Sequence, residues 1–449
     1  MDYARNILGL PVPRILGWNV DADGFEVGVE YILMEYVQGV ELHKRINEFK
    51  REATHLVDQL IDVECKFVQH RFSQIGSLYY KEDVSPELQQ RPLYAEGVQG
   101  GGADRFRIGP YVEWDIWRGD RSRLDVDHGP CQFRFHPRCT LFTLFSSGPD
   151  TFSYIKAIVG IEKQWLSTFA VPRKPNDPLR RPGSENVPDA HIRLLDNFLA
   201  VVPSILPPDE LCSPVLWHID LHGSNIFVPS EGSPDISGLI DWQGISVRPL
   251  FLQATFAACV RYEGDNRITI PLGMAVPTLP PDFETCSEED KEYLKGQERL
   301  AIIHKYYETR VIEHNPLYHA SQIYPHIEHI IPPILSASRT WYEGMHRLRQ
   351  VLLELQDAWD EIAPGTPFPV KWEKDEVATH QEAYPRLMAY EDRVEKVLEG
   401  LQLEGDGWVT NERYDEVMRK NKDIIKHWNP KVLGGPYPFQ EGGPSWFLS

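Results

Sequence analysis

Cysteine is scarce and unpaired in this chain. Its six residues, Cys65, Cys131, Cys139, Cys212, Cys259 and Cys286, show no paired short spacing, which argues against a disulfide framework and for a reducing compartment. Cys131 and Cys139 flank His136, but no second Cys/His pair has zinc spacing, so they read as structural thiols. Apolar runs are short as well. None approaches the roughly 18 residues that a membrane-spanning helix needs, and integral membrane association is not expected. Basic residues are outnumbered, 46 against 66 acidic ones, for a formal charge of −20. That balance disfavours non-specific binding to nucleic acid or anionic membrane; solubility accounts for it, and a cationic small substrate is the lesser alternative. The N-terminus lacks both the apolar pattern of a signal peptide and an Arg-rich, Ser-rich transit sequence. Compartment and oligomeric state are therefore not legible from composition.

What is present is ordinary globular material, 25% charged and 42% hydrophobic over 449 residues, enough for two or three compact units. Residues 1–10 read as the end of a helix. Strands are expected from Pro11 to Trp18 and from Val27 to Met34, either side of a turn at Asp21 to Gly24. Leu56, Leu60, Val63 and Phe67 mark an amphipathic helix that Gly76 helps to end. Residues 89–104, with Gly100 to Gly102, read as a mobile surface loop, and 172–188 as an exposed linker. Helices are expected over Asp150–Phe169, Asp189–Val202 and Leu250–Val260, and another begins at Ser287 with an N-cap and an acidic first turn. Trp341, Met345, Leu348, Leu352, Leu355, Trp359 and Ile362 alternate spacings of four and three, which predicts one helix ended by Pro364-Gly365, its stripe read as core. Helices near 386–399 and 411–427 follow. Neither repeats nor a coiled coil are visible.

The informative stretch runs from Trp217 to Trp242. Trp-His218-Ile-Asp220-Leu-His222-Gly-Ser-Asn225-Ile-Phe-Val228 is followed by a Pro/Gly/Ser turn and Ile236-Ser-Gly-Leu239-Ile240-Asp241-Trp242. Two short apolar pieces each deliver acidic or amide groups at an end. Taken singly, His-x-Asp is an ordinary turn and Asp241 an ordinary helix cap. Taken together they suit phosphoryl transfer, which needs a carboxylate beside the attacking hydroxyl and hard oxygen ligands for Mg2+ on the phosphates. Asp220 and Asn225 offer a base and an amide metal ligand from one loop, and Asp241 a second carboxylate.

On these residues the chain resembles the kinase-like aminoglycoside and choline phosphotransferases: His218-x-Asp220-Leu-His222-x-x-Asn225-Ile is similar to their catalytic loop and Ile240-Asp241-Trp242 to their metal-binding loop. No Ala-Pro-Glu follows Asp241, which separates it from protein kinases. Phe72–Tyr80, Phe106–Pro110, Asp127–Pro130 and Ile240–Gln253 further resemble the fungal group of that family that includes the mitochondrial altered inheritance of mitochondria protein nine. The resemblance implies an α+β fold: a protein-kinase-like bilobal architecture with a truncated N-terminal small lobe at 1–40 and a large, mainly helical C-terminal lobe at 41–449. The catalytic and metal loops would fall at about 205–255. It also implies ATP and Mg2+ as cofactors, a small-molecule hydroxyl as acceptor and a mitochondrial location, with cytoplasm as the alternative. By resemblance, Asp220 would orient and deprotonate the acceptor hydroxyl, while Asn225 and Asp241 would hold Mg2+. His218 would brace the metal loop, and His222 would contact substrate or phosphate, or simply pack. Glu35-Tyr36-Val37 resembles the interlobe hinge that pairs with adenine, although a strand leaving a sheet explains the same residues. Ile219, Gly223 and Ser224 stand where bacterial resistance enzymes commonly have Gly, Pro and Gly, so no aminoglycoside substrate is inferred.

Two rival readings remain open. The first lysine is Lys44, beyond the hinge-like segment, and no glycine-rich loop precedes it. The chain is therefore expected to begin inside the small lobe, which favours a non-catalytic pseudokinase-like binding or regulatory protein. Alternatively, His218, Asp220 and His222 would be ligands of a hydrolytic metal, a reading that leaves Asn225 and Asp241 unexplained.

Overall fold

The computed structural model describes residues 1–20, 28–49, 52–124, 150–174, 186–271, 273–403 and 409–439. The turn expected at Asp21 to Gly24, the Asp127–Pro130 stretch, the Cys131, His136 and Cys139 group and most of the 172–188 linker lie outside the described residues. The protein mixes helix and sheet. Its strands are β1 (Ile15–Asn19), β2 (Tyr31–Met34), β3 (Val40–Glu41), β4 (Ser77–Tyr80), β5 (Phe106–Gly109), β6 (Pro214–Leu216), β7 (Ile226–Val228), β8 (Gly238–Leu239) and β9 (Val247–Pro249). The helices begin with α1 (Asp2–Asn6), α2 (Ala53–Gln69), α3 (Pro86–Gln89), α4 (Trp114–Trp117), α5 (Thr151–Phe169), α6 (Pro188–Ile205), α7 (Leu250–Gln253) and α8 (Glu288–His314). They continue with α9 (Pro316–Gln322), α10 (Ile327–Ser336), α11 (Thr340–Glu343), α12 (His346–Asp357), α13 (Trp359–Ile362), α14 (Lys374–Leu401), α15 (Asn411–His427) and α16 (Pro430–Leu433).

The chain divides into two compact units. Unit 1 comprises Met1–Trp114, Gly129–Tyr154 and Pro207–Ile327; unit 2 comprises Asp115–His128, Ile155–Leu206 and Glu328–Ser449. Residues 1–40 thus share a unit with the His218–Asp241 stretch. Four small antiparallel sheets lie in unit 1: β1 with β2, β3 with β7 and β8, β4 with β5, and β6 with β9. In unit 2, Arg121 and Glu162 form a buried ion pair, with the Arg121 guanidinium 4.5 Å from the Trp165 ring centroid.

Helix α2 anchors unit 1 because its apolar residues recur on one face, burying Leu56, Leu60, Val63 and Phe67. It ends at His70, which leaves helical geometry at ψ 73°. Gly76 does not end it; instead Gly76 exchanges backbone hydrogen bonds with Val247, at 3.0 and 2.8 Å. The segment 89–104 is irregular beyond Gln89, but its Leu93 and Tyr94 are buried, and the Tyr94 hydroxyl bonds the hydroxyl of Tyr3 (2.9 Å) and donates to Gly101 O (2.6 Å). Helix α8 starts as its sequence implies, with Ser287 Oγ accepting from Asp290 N–H at 3.2 Å.

Two expected helices are broken. The apolar stretch 250–260 is helical only over α7, because Gln253 turns inward to donate to Val215 O (2.9 Å) and Arg248 O (3.0 Å); single turns then carry the chain to Val260. The 341–362 stripe is buried from Trp341 to Trp359, but Gly344, at φ 87°, splits it into separate helices.

Between α2, α8 and α9 lies a buried chain of hydroxyls. Glu64 Oε1 is 2.6 Å from the Tyr307 hydroxyl, which is 3.1 Å from that of Tyr318, which donates to Thr255 O at 2.5 Å. Each tyrosine has one hydrogen. Tyr318 commits its hydrogen to Thr255, and Tyr307 donates its own to Glu64 Oε1. Burial, the larger influence, pushes the Glu64 pKa up to about 8 against the opposing pull of the Tyr307 hydrogen bond, which leaves Glu64 a neutral acid at pH 7. Tyr318 in turn stacks under Trp217, ring centroids 4.9 Å apart.

Candidate active site

Trp217 leads into the loop that the sequence singles out. Strand β6 ends at Leu216, the β7–β8 hairpin aligns Ile226 with Leu239, and the polar residues follow the strand ends. The backbone of a single residue joins the two loops: the Ile240 N–H donates to Asn225 O at 3.0 Å, and the Ile240 carbonyl accepts from His218 Nε2 at 2.9 Å. Asp241 is the next residue along this second loop. His218 is buried and its pKa is lowered by burial, so the ring is neutral, with its hydrogen on Nε2 and Nδ1 left to accept from Asp220 N–H at 3.4 Å. Both nitrogens are occupied, which removes His218 as a metal ligand and with it the His218, Asp220, His222 hydrolase set. Trp242 packs edge-on against the His218 ring at 4.9 Å and donates to Leu239 O at 3.0 Å.

Asp241 takes φ 60°. For a residue other than glycine this left-handed backbone is strained, and such strain persists where neighbours over-determine the conformation, here through the Ile240 clamp. Its side chain is exposed. Asp220 is exposed too, while Asn225 is buried behind it. Asn225 Nδ2 lies 3.0 Å from Asp220 O, 3.1 Å from Asp220 Oδ2 and 3.1 Å from His222 Nε2. His222 Nδ1 accepts from Ser224 N–H at 3.1 Å, and its Nε2 lies 3.4 Å from Asp220 Oδ2. Asp220, His222 and Asn225 thus form one polar group, and His218 ties its loop to the one that carries Asp241.

The hinge-like segment arrives from the other side. β3 pairs with β7, Val40 opposite Val228, and Ser237 Oγ donates to Gln38 O at 2.9 Å. Gly39 crosses β7 so closely that a Cβ there would sit 2.1 Å from Val228 O; a Cβ on Gly238 would meet Val37 Cγ1 at 2.3 Å. Val37 is therefore packed against β8, two residues before Ile240. Glu35 faces elsewhere: Oε2 accepts from Arg5 Nη1 (3.0 Å) and Arg14 N–H (3.1 Å), and Oε1 pairs with Arg14 Nε (3.1 Å). Tyr36 is 80% exposed. Of the three, only Val37 touches the strands that carry the loops.

Sequence reasoning missed two neighbours. His43 donates its backbone N–H to Gly223 O at 3.0 Å, and its Nδ1 lies 3.2 Å from Ser224 Oγ. Glu113 Oε1 accepts from Ser246 Oγ at 2.9 Å, just beyond the Asp241 loop. Their separations along the chain leave no local pattern to find them by.

A divalent hard cation fits this chemistry. Mg2+ keeps several waters and takes one or two protein oxygens beside substrate phosphates, and the Asp241 carboxylate and Asn225 Oδ1 are oxygens of that kind. Among the described residues no group of three or more His, Cys, Asp or Glu side chains forms a closed cage.

Fold and loops together define a mixed helix-and-sheet protein with a two-loop Asp/Asn site on short strand ends. The chain is 27% identical over 94% of its length to the subtelomeric hrmA-associated cluster protein of Aspergillus fumigatus, covering 83% of that protein. It is 23% identical over 96% of its length to altered inheritance of mitochondria protein 9, mitochondrial, of Saccharomyces cerevisiae, covering 68% of it. To the Candida albicans protein of the same name it is 23% identical over 97% of its length, covering 70%. No family model and no solved structure matches the chain. No described helix is long and apolar enough to cross a membrane.

Proposed function

We propose that this protein is a kinase-like phosphotransferase that moves the γ-phosphate of ATP to a hydroxyl of a small molecule. The observation that supports it is the Ile240 backbone, which ties the Asp220–Asn225 loop to the Asp241 loop from both sides. Asp220 accepts the acceptor's hydroxyl proton and aims its oxygen. Asn225 and Asp241 would hold Mg2+, which when bound neutralises charge on the phosphates. His218 keeps the two loops in register, and Val37 with the exposed Tyr36 would meet an adenine edge. On this reading the fold is of the kinase-like bilobal kind. The likeness to proteins named mitochondrial supports a mitochondrial location, with cytoplasm as the alternative.

A second reading, a non-catalytic pseudokinase-like binding or regulatory protein, draws on two contacts. The Asn225 amide is turned onto the prospective base, and Lys44, the first lysine, is paired with Glu41. Incubation with γ-labelled ATP and pooled small metabolites tests the choice. Transfer of label that falls at least 100-fold in Asp220→Asn supports the enzyme; label transfer unchanged in that variant, or absent while Mg-ATP still binds, rejects it.

A further inference from the structure

Away from the paired loops, unit 1 contains a cavity of about 320 Å3 where the C-terminal ends of α2 and α8 meet the start of α9. Its polar lining comes from Cys65, Gln69, Arg71, His314 and Asn315 between aliphatic walls. The volume is at the lower end of the roughly 300–1,000 Å3 typical of small-molecule sites. Two features separate it from an ordinary surface dent.

The first is Asn315, which is 4% exposed while its Nδ2 is buried with no hydrogen-bond partner. A buried amide nitrogen is normally paired, and one left alone carries a desolvation cost that a bound group can remove. The second is charge. Arg71 and Gln69 make no side-chain hydrogen bond or ion pair among the described residues, so a guanidinium and a second amide stand uncommitted on the same wall. A guanidinium in this state suits the two oxygens of a carboxylate, which it can bind in parallel. The helix ends pull the other way. The last carbonyls of α2 and α8 carry partial negative charge, and only some are capped: His70 takes Lys66 O (2.8 Å), and the Cys65 thiol donates to His314 O (3.4 Å). Such ends suit a donor, so a bare inorganic anion is the poorer occupant.

We propose that this cavity binds a small carboxylate that also carries a hydroxyl or ammonium group, its carboxylate on Arg71 and Asn315 and its donor toward the helix ends. The site is independent of the phosphotransfer reading, since none of its residues belongs to the paired loops.

The test is a thermal-shift titration of the full chain with malate, serine and inorganic phosphate, repeated in Arg71→Gln and Asp241→Asn. Malate or serine should raise the melting temperature saturably; the response should survive Asp241→Asn, and its affinity should fall at least tenfold in Arg71→Gln. The unaltered chain supplies a second readout should that variant fold poorly: alkylation of Cys65 by iodoacetamide, mapped by mass spectrometry, should slow about tenfold at ten times the dissociation constant. Neither shift nor protection with malate and serine would overturn the proposal. So would an unchanged affinity in Arg71→Gln, or phosphate binding as tightly as malate.

Discussion

The two arms that meet along β7 and β8 are held in opposite ways. The loop arm, Trp217 to Asp241, is fixed from beneath: Trp217 sits on Tyr318, His218 is buried, and the Ile240 backbone is bonded on both sides. The hinge arm, Glu35 to Glu41, is fixed at its far end. Its acidic residue is engaged by Arg5 and Arg14 at the surface, Tyr36 is exposed, and the preceding hairpin leaves Trp18 at 67% and Ile32 at 60% exposure. Buried neutral hydrogen bonds cost dearly when broken, whereas exposed ion pairs contribute from nothing to about 1 kcal/mol. The difference indicates which arm carries fixed geometry and which is free to adapt to a ligand.

That contrast can be broken most severely where the arms touch. Gly39→Ala drives a Cβ into the Val228 carbonyl at a backbone φ of 110°, and urea unfolding should register a loss of about 3 kcal/mol. His218→Ala strands the Ile240 carbonyl and should cost about 2 kcal/mol. The same residue sets an acid limit. Because its folded pKa is lowered, the unfolded chain takes up a proton first, at the usual value near about 6.5. Its contribution is present above that pH and lost as pH falls toward the folded pKa, a limb that His218→Gln should flatten.

Glu64→Gln sharpens the comparison at the foundation of the loop arm. The folded pKa is raised to about 8, so the stability from this neutral acid is complete below its unfolded value of about 4.3 and is lost as pH rises through about 8. Glutamine keeps an oxygen that accepts from Tyr307 and cannot ionise. The variant should match the parent at pH 4 and exceed it at pH 9 by about 1 kcal/mol or more. On the hinge side, Tyr36→Ala should leave stability within about 0.5 kcal/mol while weakening nucleotide binding, which a paired unfolding and binding measurement would separate.

The loop arm was largely legible in the sequence because its signal is local. Asp220, Asn225 and Asp241 lie at the ends of short apolar runs, and those runs became β7 and β8. The apolar spacing of Leu56 to Phe67 and the acidic turn after Ser287 likewise produced α2 and α8. What could not be read depends on distant partners. The partners of Glu35 are not visible until Arg5 and Arg14 are placed around it, and His43 meets Ser224 only after β3 pairs with β7. Helical periodicity also misled where one backbone position overrode it: Gly344 breaks a stripe whose side chains are otherwise buried together, and the inward turn of Gln253 ends α7 amid apolar residues.

The most direct test is a thermal-shift titration with Mg-ATP and Mg-ADP on the chain and on Asp241→Asn. At 100 times the dissociation constant a nucleotide bound between the arms should stabilise the protein by roughly 2.7 kcal/mol, with the effect dependent on Mg2+ and absent from Asp241→Asn. No shift at millimolar nucleotide, or an equal shift in the variant, would contradict a phosphotransferase site built on these two loops.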